Sequence, residues 1–281
     1  MPKETGVTNF ARVWFCVFTA IFAGAAGAGC TDGGGETAGE SARASVVEQG
    51  AEGDSPTAEP AGSSAGGASA ADPVNDDVEY LHLLGQTRGH LAAFTALHRL
   101  GAHAMSMTHA EHPESELYTG LVPAFEARGK PGFSGELDGL TEAVRNGGNV
   151  DAAFADLKKA IGENEPDADL ATHLMAIATL ARTAGKEFTI GVADDGKVVN
   201  AHEYQDAYGF LTAAREMVKD KQAGNAQEAQ ALALAEEQLD IALGEFDTLT
   251  ASRVDGKASV IEGAAARIGI EANMLRQTIN R

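Results

Sequence analysis

Residues 77–98 read DVEYLHLLGQTRGHLAAFTALH, and this stretch decides the fold. Tyr80, Leu84, Leu91, Phe94 and His98 recur at helical steps, and Met105 continues the stripe. That spacing puts them on one face of an amphipathic α-helix. Gly85, Gly89, Ala93 and Ala96 are small, and small residues let a neighbouring helix axis come close. The pattern predicts a first helix running to about Thr108.

The same period continues downstream. Pro113 suits the first residue of a second helix, which carries Leu117, Leu121 and Phe125 and stops at Gly129. Leu137, Leu140 and Val144 form a third stripe, and Val150, Phe154, Leu157 and Ile161 a fourth. Pro166 opens a fifth helix with Leu170, Leu174, Ile177 and Ala181 inward, closed by Gly185. Residues 188–199 break the pattern. Phe188-Thr189-Ile190-Gly191-Val192 and Lys197-Val198-Val199 flank an Asp-Gly turn at Asp195-Gly196, which reads as a small β-hairpin. Three helices finish the chain, over His202 to about Lys219, Gln227–Leu249 and Ala258–Leu275. The expected fold is all-α, a bundle of about seven helices with one hairpin. Scarce β-branched and aromatic runs in an Ala- and Leu-rich chain favour helix over sheet.

Upstream of Asp77 the sequence changes character. Lys3 and Arg12 precede an apolar core over residues 13–23, followed by Gly24-Ala25-Ala26-Gly27-Ala28-Gly29 and Cys30. A charged start, a short apolar core and small residues make a secretory signal, too short for a membrane span of ~20 residues. Gly27-Ala28-Gly29-Cys30 resembles the bacterial lipobox, with Gly27 where Leu is usual. The resemblance implies cleavage before Cys30 and its acylation. An ordinary peptidase cut after Ala28 is the alternative, leaving a soluble chain with a free thiol. Cys16 falls in the removed segment, so Cys30 is the lone cysteine of the mature chain and has no internal disulfide partner. Thr31, in place of Asp, resembles an outer-membrane sorting context.

Residues 31–76 are rich in Gly, Ala, Ser and acids, with Val46, Val47 and Val74 almost the only larger apolar residues. Such a segment buries too little surface to offset its ordering entropy, and reads as a flexible tether spanning ~35–40 Å. The expected organisation is a signal peptide over 1–29, a lipidated Cys30 with its tether over 30–76, and a helical domain over 77–281. The expected address is the cell envelope, lipid-anchored, at the outer membrane facing the periplasm or the cell surface.

Charge excludes one class of partner. With 41 acidic and 21 basic residues the formal net charge is −20, whereas phosphate binding needs a basic face. No nucleic acid is expected. Catalytic motifs are missing too: there is no Gly-x-Ser-x-Gly elbow, no phosphate-binding glycine loop and no His-Glu-x-x-His. The reading is of a protein that is not an enzyme.

Histidine distribution points to metal chemistry. His82, His90, His98, His103, His109 and His112 crowd into one short stretch, with Met105 and Met107 among them and Glu111, Glu114 and Glu116 following. Imidazole suits zinc, copper or iron, and thioether suits Cu(I). On a straight helix His98, Met105 and His109 share a face, with His82 and His103 pointing elsewhere. His112 and Glu116 follow at the corner expected at Pro113. The preferred ligand set is therefore His98, Met105, His109, His112 and Glu116. The same residues can also cap helix ends or fill the core. A second candidate is His202, Glu203 and Asp206, where His202 and Asp206 lie one helical turn apart. Acids in a first helical turn also favour the helix dipole without any ligand.

The segment Glu203-Tyr204-Gln205-Asp206-Ala207-Tyr208-Gly209-Phe210, together with the export signal and the His/Glu enrichment, resembles periplasmic helical iron-uptake proteins of the imelysin type. That family carries a Gly-x-His-x-x-Glu motif. Gly101 and His103 match its start, but Ser106 stands where the Glu belongs, so the family's ligand pair does not carry over. The expected function is binding or delivery of iron or copper in the envelope. The alternative is a structural or adaptor lipoprotein that binds another envelope protein.

Overall fold

The computed structural model describes residues 72–279. The expected signal peptide, Cys30 and nearly all of the tether lie outside the described residues. Among those described, the chain forms α1 (Asp77–Arg99), α2 (His103–His112), a π-helical turn (Pro113–Tyr118), α3 (Thr119–Arg128), α4 (Ser134–Asn146) and α5 (Val150–Glu163). Then come α6 (Leu170–Gly191), α7 (Ala201–Lys219), α8 (Ala226–Leu243) and α9 (Ala258–Ile279). None of these helices is long and apolar enough to cross a membrane.

Local chemistry sets several helix starts. Asp76, Asn149, Asp169, Asn200 and Asn225 each accept a bond from a backbone N–H of the first turn. Each such cap is worth about 1 kcal/mol. Asp169, rather than Pro166, therefore begins α6. The first expected helix ends early, at Arg99, because Gly101 takes φ of 73° and turns the chain back. Pro113 does not open a helix as expected. It supplies no N–H to the ladder, and the chain passes it in the wider π turn, which joins α2 to α3.

The expected hairpin over 188–199 is not present. α6 runs on through Gly191, with Val192 N–H still bonded to Phe188 O at 2.9 Å. Phe188 is buried against Tyr204 and Phe246, at centroid distances of 5.9 and 5.4 Å. That packing holds the segment helical despite its β-like alternation. The Asp-Gly turn does form, but Val192 and Val198 join across it in no more than a single bridge. The last expected helices also shift: α8 stops at Leu243, before Gly244, and α9 extends to Ile279.

Two cores share α1. Tyr80, Leu84, Leu91 and Phe94 of α1 pack with Leu121, Phe125, Phe133, Leu137, Leu140, Leu157 and Ile161 from α3 to α5. Leu97, one turn further along α1, belongs instead to the core of α6–α9. α1 can lie against α7 because glycines face each other. A Cβ on Gly209 would sit 2.2 Å from Gly89 O, and one on Gly89 would sit 2.2 Å from Phe210 Cδ1. This close crossing brings His90, next to Gly89, to the first turns of α7.

Candidate metal centre

Three elements meet at the crossing. α1 supplies His90, the last turn of α2 supplies His109 and His112, and the start of α7 supplies His202 and Asp206. Gly101 folds α2 back along α1, which returns His109 and His112 to the level of His90. Asn200 caps α7 and sets its first turn, so His202 and Asp206, four apart, face the same way.

Four imidazoles surround one carboxylate. Asp206 Oδ1 lies 2.7 Å from His90 Nδ1 and 2.9 Å from His109 Nδ1. Its other oxygen lies 3.1 Å from His202 Nε2, and His202 Nε2 is 2.9 Å from His112 Nδ1. The His109 and His202 rings stack at 4.3 Å, and the His112 ring meets His202 edge-on at 4.2 Å. His109 is fully buried, His90 and Asp206 nearly so, while His112 and His202 are half-buried.

Burial alone would raise the pKa of Asp206. Hydrogen bonds from His109 and His202, with His90 close by, more than offset this and hold the carboxyl far below the usual range. The carboxyl is thus held ionised in a buried place. His90 Nδ1 makes no properly aligned hydrogen bond, despite its 2.7 Å approach to Asp206. A buried polar atom left so is uncommon and costly. A cation between the imidazole and the carboxylate would satisfy both.

The donor set fits a transition metal. Ligand atoms of His90, His112 and Asp206 all lie within 4.8 Å of one another, and so do those of His109, His202 and Asp206. Adjacent ligands held ~2.0–2.2 Å from one ion are separated by about 3 Å in an octahedron. The spacings at Asp206 are of that order. Each triad offers two imidazoles and a carboxylate, a set that suits non-haem iron. The half-buried His112 also lines a cleft of about 860 Å³ beside α3 and α4, edged by Glu111, Asp138 and Glu142.

The two candidate segments of the sequence therefore meet in space, with changes of membership. His109, His112, His202 and Asp206 converge. His98 does not: it stands against Phe94 and His103, at 5.6 and 5.1 Å. Its separation from His109 comes from the turn at Gly101, which ends the straight helix their pairing assumed. Met105 is exposed, and its Sδ accepts a bond from Gln205 Nε2 at 3.3 Å instead of facing the centre. Glu116 falls in the π turn, its side chain outside those described. Glu203 turns away toward Glu187 of α6. Burial first, then the hydrogen bond and charge of Glu203 and the charge of Asp206, push Glu187 up to about 8.

His90 was missing from the sequence-based ligand set. Its signal was the glycine beside it, Gly89, matched by Gly209 one turn after Asp206. Reading both as contact points between two helices would have put His90 opposite Asp206.

A family described as the iron permease-associated 4-helix bundle domain matches residues 163–272. The matched stretch runs from the end of α5 through α6, α7 and α8 and most of α9. It holds His202 and Asp206, while His90, His109 and His112 precede it. No curated protein and no solved structure matches the chain.

Proposed function

We propose that this protein binds one transition-metal ion, with iron as its cargo, through His90, His109, His112, His202 and Asp206. The observation that carries the reading is the convergence of four imidazoles on one buried carboxylate. Ionised Asp206 is a hard ligand, and imidazoles suit iron, so the set accepts Fe(II) or Fe(III). Similarity of residues 163–272 to an iron permease-associated domain favours iron among the metals such a set accepts. Copper loses the support that a thioether ligand would have given, because Met105 points elsewhere. One ion is favoured over two. A second divalent charge beside a single carboxylate would leave the buried centre strongly positive.

The protein works in the cell envelope, held to the membrane by a lipid on Cys30, and the helical domain collects or hands on the ion. The lipobox-like Gly27-Ala28-Gly29-Cys30 supports the anchor, and mass spectrometry of the mature N-terminus tests it. Diacylglyceryl-Cys30 is expected; an unmodified N-terminus at Gly29 would refute it.

The test of the metal reading uses the chain carrying Cys30→Ser and no histidine tag. Titration with Fe(II), Zn(II) and Cu(I) is expected to give one ion per chain, and none after His109→Ala or Asp206→Asn. Absence of binding at micromolar metal would end the reading.

A further inference from the structure

Gln205 stands immediately before Asp206 and is almost fully buried. Its side chain makes three contacts. Nε2 donates to Leu249 O at 3.0 Å and reaches Met105 Sδ at 3.3 Å, and Oε1 lies 2.9 Å from His109 Nε2. Leu249 sets the orientation of the amide. A flipped amide would put Oε1 against the Leu249 carbonyl oxygen, two acceptors face to face in a buried place. Oε1 therefore faces His109, and the only way to fill that contact is for His109 Nε2 to carry a proton and donate. With Nε2–H committed to Gln205, Nδ1 is the nitrogen left to donate to Asp206 without an ion and to bind the ion in its place. Nδ1 is the atom turned toward Asp206, at 2.9 Å.

We propose that Gln205 is the positioning residue of the metal centre: by accepting from His109 Nε2–H it fixes the tautomer, and so makes Nδ1 the ligand atom. This rests on the metal reading above and adds to it the identity of the coordinating nitrogen. It also ties the centre to the α8–α9 connection. Gln205 grips Leu249, and the neighbouring Tyr204 hydroxyl donates to Thr248 O at 3.4 Å. His109 is thus aimed by a segment distant in sequence from every other ligand. Partners of this kind orient metal-bound histidines, and their loss typically costs 10–100-fold in affinity.

The experiment has two arms on the chain with Cys30→Ser. The first is NMR of ¹⁵N-histidine-labelled protein, with and without Zn(II) as a diamagnetic probe. The expected result is a proton on His109 Nε2 in both states and a metal-induced shift confined to Nδ1. Coordination through Nε2 would overturn the proposal. The second arm compares Gln205→Met, which keeps the shape but removes the acceptor, with Gln205→Glu, which keeps an acceptor toward His109. Both lose the donor to Leu249 O, and both should melt earlier. Only Gln205→Met is expected to weaken Zn(II) and Fe(II) binding, by roughly 10–100-fold. Equal affinities for the two variants would reduce Gln205 to a structural contact and overturn the proposal. A parent chain that binds neither ion would sink the metal reading itself, whereas normal parent binding with an unaffected Gln205→Met sinks this one alone.

Discussion

The α6–α9 half and the α1–α5 half of this molecule are held together differently. The α6–α9 core is built largely of alanine and leucine, with Ala178, Ala181, Ala184, Ala214, Ala235 and Ala265 allowing long helices to lie close together. The α1–α5 core gathers short helices around aromatic rings. Tyr80, Phe125 and Phe133 meet one another or Tyr118 at 5.2–6.1 Å. The first is a regular bundle, and the family match over residues 163–272 covers most of it. The second wraps around α1. Neither half holds the whole of the proposed ligand set. α7 brings the carboxylate and one imidazole, and α1 and α2 bring the other three. The comparison teaches that the metal reading belongs to the junction between halves. Resemblance of either half to something else does not carry it.

The strongest way to break this picture is to remove the residue both halves grip. Asp206→Asn takes away the anion that His90, His109 and His202 surround. Breaking one partner of a buried charged cluster typically costs about 3–5 kcal/mol. A loss of that size in chemical unfolding is expected, with metal binding lost altogether. Retained stoichiometric binding would mean that the imidazoles suffice and that Asp206 is only a structural anchor.

A second test sets one half against the other. His202→Ala deletes a ligand from α7, and His90→Ala deletes one from α1. If the centre is shared, each weakens binding by about tenfold or more, equivalent to ~1.4 kcal/mol. A silent His90→Ala would assign the site to the α2–α7 contact alone.

The third acts on the junction and leaves every ligand in place. An alanine at Gly209 would put its Cβ 2.2 Å from Gly89 O, a backbone atom that has no side-chain freedom to give way. Overpacking of this kind costs about 1–3 kcal/mol. Calorimetry should show the loss, and metal affinity should fall with it as His90 is pushed away from Asp206. Destabilisation without loss of affinity would show that α1 contributes little to the centre.

The smallest effect concerns a second link between the halves, away from the centre. Glu165 accepts from Arg88 of α1 at 2.6 Å and from Lys221, just past α7, at 3.0 Å, and His173 of α6 lies 3.4 Å from Lys221. Burial, then the charge of Lys221, hold His173 below its ordinary pKa, against the pull of Glu165 and Asp169. The folded value is the lower of the two, so protonation favours the unfolded chain. Stability is complete above about pH 6.5 and declines as the pH falls below it. His173→Gln should flatten that slope in thermal melts and leave metal binding unchanged. A change in metal binding would mean that the two links communicate.

The residues explain how much could be read in advance. Tyr80, Leu84, Leu91 and Phe94 announced a helix through their spacing, and that is where α1 lies, because a 3.6-residue period is a local property. Phe188, Ile190 and Val192 alternate like a strand and yet sit in or at the end of α6, because Tyr204 and Phe246 pack on Phe188. His202 and Asp206 were visible as a pair, since four residues along a helix always share a face. His90 was not, because its partners stand at positions 109 to 206 and only the packing of α1 on α7 brings them within reach.

The sequence by itself determined the helical class, the acidic character that disfavours nucleic acid, and the residue types able to hold a metal. Those depend on composition and on spacing over a few residues. Tertiary structure alone decided which histidines share a carboxylate, that Met105 and His98 stand outside the group, and that Gln205 lies against His109. Those depend on side chains about 100 residues apart meeting within 3 Å. A glycine contact, a left-handed turn and a π turn set that meeting, and periodicity does not encode it.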